Sequence, residues 1–199
     1  MITLVVNSYR VQPEQKIAPY VEMVKKFSQC RVIKDVDVYS YANLLECDAL
    51  VLSGSPDLIS KGVYSRGYLE FLHHITIPCL GICYGHQMLA KAFGGIVLAG
   101  KERIERDEVV RIIKYDPLFQ GLPPEISVRE SHQEYVSLEG LNAAGFEVLA
   151  NSPSCVVEAI KHLELPIYGV QFHPERSGSV GEMIFQNFFN IVRKLKKNI

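Results

Sequence analysis

Residues 77–95 read IPCLGICYGHQMLAKAFGG, and their order sets the fold class. Residues 77–82 are a short apolar run, the pattern of a buried strand, and the run stops abruptly at Cys83. Residues 84–94 follow with helical spacing and halt at Gly94-Gly95. A strand, a tight turn and a helix in so short a stretch make the unit from which α/β sheets are wound.

Outward from this unit the alternation repeats. ITLVV at 2–6 and ALVLS at 49–53 read as buried strands, the second ending at the turn Gly54-Ser55-Pro56. A helix is expected after Pro13, with Ile17, Tyr20, Val21, Val24 and Phe27 on one face. YGVQF at 168–172 is another buried strand, and 183–195 an amphipathic closing helix. In the second half, segments 104–114, 126–130, 146–150 and 155–160 are short and β-rich, which suits antiparallel additions to the sheet. The expected architecture is therefore α/β: an open, mostly parallel twisted sheet with helices on both faces and added antiparallel strands in the second half. No repeat, low-complexity tract or linker divides residues 1–199, so a single domain is expected.

The totals narrow the function classes. With 48% hydrophobic and 22% charged residues the chain is an ordinary globular one. A formal net charge of -1 argues against nucleic acid or an anionic membrane as partner. The basic tail Arg193, Lys194, Lys196 and Lys197 reads as a solvated helix end, with cations near the negative pole of the helix dipole. Five cysteines (Cys30, Cys47, Cys79, Cys83 and Cys155) form no CxxC pair, so neither a disulfide framework nor a structural zinc site is expected. The odd count suits a reducing compartment. MITLVVNSYR at the start has no basic leader, and no apolar run approaches a membrane span. A cytoplasmic protein without metal or cofactor is the expectation.

The chemistry is concentrated at Cys83. Gly81-Ile82-Cys83-Tyr84-Gly85 between a strand and a helix has the form of a nucleophile elbow, in which flanking glycines are needed where any Cβ would clash. The turn would hold the thiol at the C-terminal edge of the sheet, where open α/β sheets bind ligands, and the helix start would favour a thiolate. By itself the pattern also fits a small buried cysteine in a common turn, so a base is required. Tyr168-Gly169-Val170-Gln171-Phe172-His173-Pro174-Glu175 supplies one. Residues two apart on extended chain project to the same side, so His173 and Glu175 can share a site, and Pro174 biases His173 towards extended backbone. A carboxylate that orients an imidazole, and an imidazole that takes a thiol proton, are what such a nucleophile needs. Attack on a carbonyl also needs an oxyanion hole. The N–H of Tyr84 is one expected donor, and the turn after the second strand offers another at Gly54 or Ser55. That turn is not a phosphate-binding P-loop, since no G-x-x-x-x-G-K-[ST] occurs.

With these pieces in order, the chain resembles the class I, triad-type glutamine amidotransferases over nearly its whole length. Gly-Ile-Cys-Tyr-Gly-His-Gln at 81–87 resembles the family's nucleophile motif, and Gln-Phe-His-Pro-Glu at 171–175 its histidine–glutamate motif. The resemblance implies a flavodoxin-like fold, with Cys83 as nucleophile, His173 as base and Glu175 as its orienter. It also implies glutamine as substrate, a γ-glutamyl thioester, and release of ammonia. Within the family, Pro117-Leu118-Phe119-x-Gly121-Leu122-Pro123, Ser131-His132-x-x-x-Val136 and Gly145-Phe146-x-Val148-Leu149-Ala150 are most similar to the amidotransferase part of GMP synthase. By that resemblance Gln87, Ser131 and His132 would hold the α-amino and α-carboxylate groups of glutamine. From the residues alone, Ser131 and His132 fit solvated loop positions equally well. The chain departs from the usual pattern at Ser55, where a second glycine is common, at Arg176-Ser177-Gly178-Ser179 and at Asn7-Ser8-Tyr9-Arg10. A side chain at 55 requires that its backbone avoid the left-handed region.

The chain closes soon after Glu175, so a separate ATP-dependent synthetase subunit is the expected partner and receiver of ammonia. That of GMP synthase leads, with an anthranilate or aminodeoxychorismate synthetase as the alternative. A stand-alone γ-glutamyl hydrolase would use the same triad. A non-enzymatic relative would not retain Cys83, His173 and Glu175 together.

Overall fold

The computed structural model describes residues 1–38 and 46–197. In chain order the elements are β1 (Ile2–Asn7), α1 (Pro13–Lys25), β2 (Gln29–Lys34), β3 (Ala49–Leu52), α2 (Arg66–His73), β4 (Cys79–Ile82) and α3 (Tyr84–Ala92). They continue as β5 (Val97–Ile112), β6 (Glu125–Val136), β7 (Phe146–Asn151), β8 (Ala159–His162), β9 (Ile167–Val170) and α4 (Gly178–Lys196). Among the described residues the strands form one sheet in the order β2-β1-β3-β4-β9-β8-β7-β5-β6. β2, β1, β3, β4 and β9 run parallel, and β8, β7, β5 and β6 are joined antiparallel. The parallel part has the flavodoxin-like order, as expected.

Strand alternation builds two cores from one sheet. Val5, Val51, Leu80 and Ile82 face α1 and α4, packing with Tyr20, Val24, Phe185, Phe188 and Phe189. Their neighbours Leu4, Val6, Leu50, Leu52 and Cys79 face the opposite side, with Tyr68 and Leu72 of α2 and Met88 and Leu89 of α3. Each fully buried phenylalanine contributes about 1.5–3 kcal/mol. Helices therefore cover both faces. None of them among the described residues is long and apolar enough to cross a membrane.

Two elements lie outside the sequence expectations. β2 is an edge strand whose residues stay largely exposed, so it lacks the apolar run that marks a buried strand. α2 is only two turns long and is capped by the Ser65 side chain, which accepts the N–H of Tyr68. The segment expected as a strand at 155–160 enters the sheet only at Ala159, and β5 and β6 run longer than expected. α3 ends as expected: Gly94 has φ +97, its N–H reaches the Lys91 carbonyl, and the N–H of Gly95 reaches that of Ala90. These two bonds close a Schellman cap.

Candidate active site

β4 and β9 are neighbours in parallel register, Ile82 beside Val170. That pairing brings together two motifs far apart in the chain. The N–H of Cys83 donates to the Val170 carbonyl at 2.8 Å, so the elbow begins where β9 ends. Cys83 itself sits at φ 51, ψ −104, and among the described residues only Gln12 shares a positive φ without being glycine. Such backbone costs about 1–3 kcal/mol and persists only where its surroundings enforce it. The surroundings here are tight. A Cβ on Gly81 would stand 2.7 Å from the Gly85 carbonyl, and one on Gly85 would stand 2.7 Å from Leu52. Both glycines are therefore sterically required, as the motif predicts.

His173 and Glu175 follow β9 and are buried. Nδ1 of His173 lies 2.6 Å from Glu175 Oε1, and its Nε2 has no partner among the described residues. Burial opposes charging of this imidazole, but the Glu175 carboxylate and charge at Cys83 outweigh it, and its pKa stands well above the ordinary value. The backbone of His173 is held from the other side of the sheet's edge. Its N–H donates to the Arg129 carbonyl of β6 at 2.8 Å. The neighbouring Ser131 carbonyl faces Cys83 Sγ at 3.6 Å. β6 thus reaches back over the strand ends and closes the site.

Seven of the sequence-expected residues converge on one cavity of about 560 Å³, lined by Cys83, His173, Glu175, Ser55, Gln87, Ser131 and His132, while Gly54 and Tyr84 are not part of its lining. Ser131 and His132 are not loop residues; they lie on β6, with His132 buried. Gln87 is buried too, and its amide donates to the Glu134 carbonyl at 2.8 Å and to Gln171 Oε1 at 3.0 Å. His132 Nδ1 meets the same Glu134 carbonyl at 3.0 Å, so one backbone oxygen ties both residues together. Ser131 Oγ donates to Glu105 at 2.9 Å, with Arg103 nearby at 3.3 Å.

The two candidate donors in the β3 turn separate. The Gly54 N–H already donates to the Tyr20 hydroxyl at 3.1 Å, and Gly54 packs against the imidazole; a Cβ there would lie 3.1 Å from His173 Cε1. Ser55 lines the cavity, and its φ is not positive, so replacing the second glycine brings no backbone strain. Its Oγ is occupied locally, donating to the Ser8 carbonyl and accepting from the Asp57 N–H. Tyr84 opens α3, so its N–H is among the first four of the helix that have no intrahelical acceptor.

Sequence reasoning missed Tyr20. It reads as a core residue on a helix face, and its ring is one. Its hydroxyl, however, lies 3.3 Å from His173 Nδ1, 3.1 Å from Gly54 N and 3.2 Å from the Tyr9 hydroxyl. Glu134 was missed as well: its carboxylate accepts the N–H groups of Ile59 and Ser60 at 2.6 and 3.0 Å, pinning the segment after the β3 turn to β6. Neither role has a local signature, because both depend on partners distant in the chain.

A thiol on a strained elbow, an imidazole oriented by a carboxylate and free backbone donors make an arrangement for attack on a carbonyl. Known proteins similar to this chain agree with that chemistry. The family model for class-I glutamine amidotransferase matches residues 14–192. The glutamine-hydrolyzing GMP synthase subunit of Pyrococcus abyssi is 42% identical over 147 residues, covering 73% of this chain and 76% of that protein. Its counterpart in Methanothermobacter thermautotrophicus is 39% identical over 147 residues, with 73% and 75% covered. A crystal structure from Thermoplasma acidophilum, described as that of a GMP synthase subunit, superposes with a TM-score of 0.85 at 27% identity, covering 100% of this chain and 97% of that one. Fold, elbow and matched length together place the chain in the class-I glutamine amidotransferase family.

Proposed function

We propose that this chain hydrolyses glutamine to glutamate and ammonia and hands the ammonia to a separate ATP-dependent synthetase subunit, for amination of XMP to GMP. The observation that carries the reading is the 2.6 Å His173–Glu175 contact, with a free Nε2 in the cavity that holds Cys83. His173 takes the thiol proton, and Cys83 Sγ adds to the amide carbon of glutamine. The N–H groups of Tyr84 and Ser55 receive the developing oxyanion; Gly54 supports Ser55, since its own N–H is engaged by Tyr20. His173 returns the proton to the departing nitrogen, which leaves as ammonia, and a γ-glutamyl thioester remains. Water, deprotonated by the same imidazole, then cleaves the thioester to glutamate. Glu175 keeps the ring oriented and favours its charged form.

Gln87, Ser131 and His132 are assigned to the α-amino and α-carboxylate groups of glutamine. Their place on one wall of the cavity and the shared Glu134 carbonyl support this. The GMP branch rests on the relatives from Pyrococcus abyssi and Methanothermobacter thermautotrophicus, which are GMP synthase subunits. One sheet whose strand β6, strand ends and helix α3 carry the site residues supports reading residues 1–199 as one domain. The test is glutaminase activity of the purified chain, alone and with an ATP-dependent GMP synthase subunit, XMP and ATP. Hydrolysis stimulated by the partner and coupled to GMP formation is expected. Hydrolysis without stimulation would discard the GMP branch, and no hydrolysis under either condition would discard the triad.

A further inference from the structure

β6 carries a second polar group that the triad leaves unused. Glu130 is fully buried, and so is Glu158, the residue preceding β8. Neither oxygen of Glu130 receives an N–H or O–H from the described residues. Glu158 Oε1 takes the Ser152 hydroxyl at 2.6 Å, while its Oε2 is without a donor. Glu158 is close enough for its charge to favour a proton on Glu130. Burial, then the charge of Glu158, raises the Glu130 pKa far above the carboxylate range. The charges of Cys83 and His173 also act on Glu130, and that of Glu108 on Glu158.

His132 is the other neighbour. Its Nδ1 lies 3.0 Å from the Glu134 carbonyl, which can only accept, so Nδ1 carries a hydrogen. Its Nε2 lies 3.4 Å from Glu130 Oε2 and has no other partner among the described residues. Burial and the neighbouring charges of His173 and Arg103 disfavour a second proton on this ring, although Glu108 and the Glu134 carbonyl favour it. A bare Nε2 against a carboxylate would set lone pair against lone pair. An imidazolium–carboxylate pair would instead have to be charged in a site already holding Glu158, which burial penalises.

We propose that Glu130 stands as a neutral acid whose proton, turned to His132 Nε2, keeps His132 in its uncharged Nδ1–H form and positions that ring on the wall of the glutamine cavity. Glu130 is a positioning residue: it touches no reacting atom and acts through His132. The inference rests on the reading of the cavity as the glutamine site only for its kinetic consequence. The protonation state stands on geometry.

The first test needs no variant. In the ¹⁵N-labelled full chain, with His132 assigned by a His132→Gln spectrum, the ring nitrogens should report the neutral Nδ1–H tautomer around neutral pH. An imidazolium or an Nε2–H tautomer overturns the proposal. Glu130→Gln should rescue the arrangement, because its amide offers one N–H to Nε2 and one to Glu158. Glu130→Leu should leave the Nδ1 hydrogen on the Glu134 carbonyl but shift the Nε2 resonance, and raise KM for glutamine about tenfold, the equivalent of one lost hydrogen bond, with kcat within about threefold. An unchanged KM would refute the positioning and remove His132 from the glutamine site, leaving the triad untouched. If the wild-type chain lacks glutaminase activity altogether, the proposed function falls while the spectrum still decides the state of Glu130.

Discussion

Tyr20→Phe isolates one oxygen that joins three parts of the site. The hydroxyl accepts the Gly54 N–H at 3.1 Å and lies 3.3 Å from His173 Nδ1 and 3.2 Å from the Tyr9 hydroxyl. The ring is fully buried in the cluster under α1 and α4, so phenylalanine keeps the packing and leaves no cavity. What changes is that the Gly54 N–H loses its acceptor inside the protein, at a cost of about 1–3 kcal/mol. At about 2–4 °C per kcal/mol for a chain of this size, Tm should fall by about 2–12 °C. Gly54 is also the residue before the proposed oxyanion donor. Outright loss of such a donor costs about 10²–10³ in kcat, so a displaced one should cost about tenfold, with KM little changed. Tyr9→Phe is the control: it removes only the outer hydroxyl and should cost less than about 1.5 kcal/mol. Differential scanning calorimetry and a glutaminase assay on the three proteins settle the matter. A Tm within about 1 °C of wild type for Tyr20→Phe, with kcat within about twofold, would refute the reasoning, because the hydroxyl would then hold neither the turn nor the histidine.

Cys83→Ala should abolish glutamine hydrolysis while the chain stays folded by circular dichroism; turnover at the wild-type rate would remove Cys83 as nucleophile. Glu175→Gln should lower kcat less than His173→Ala does, because it weakens orientation and leaves the proton carrier in place; equal losses in steady-state kinetics would give Glu175 a larger part. Since the folded state raises the His173 pKa, its charge contributes stability that is fully present below about pH 6.5 and lost as pH rises through the folded value. Urea titrations should therefore show Glu175→Gln most destabilised relative to wild type at the acid end, and a gap that widens with pH would contradict this. Gly85→Ala sets a Cβ 2.7 Å from both the Cβ and the carbonyl oxygen of Leu52, and should destabilise by at least about 1–3 kcal/mol; a wild-type urea midpoint would show that the elbow has slack.

Much of the fold was legible because burial writes itself into the chain at short range. β1, β3, β4 and β9 are apolar runs that end in glycine or polar turns, since a strand covered on both faces has no room for polar side chains. β2 was illegible for the converse reason: at the sheet edge its residues meet water, and QCRVIK has no run to read. The elbow and the His173–Glu175 pair were legible because each is built from residues close in the chain. An elbow needs glycines two positions either side of its nucleophile, and His173 and Glu175 lie two residues apart, although they meet across the 3-10 turn Pro174–Arg176 and not on the extended chain the spacing suggests.

Tyr20, Glu134 and Glu130 were not legible, because each acts on partners brought near only by packing. A tyrosine on an amphipathic helix has the same sequence signature whether its hydroxyl meets water or the Gly54 N–H. A glutamate in a strand looks exposed until burial and a facing acid make it neutral. Sequence alone therefore singled out the candidate nucleophile and base, since the elbow, the His173–Glu175 pair and their turns are set by neighbouring residues along the chain. Only the tertiary structure decided which backbone donor is free, which hydroxyl holds the turn and which acid keeps its proton, since those depend on distances across the sheet and on the exclusion of water.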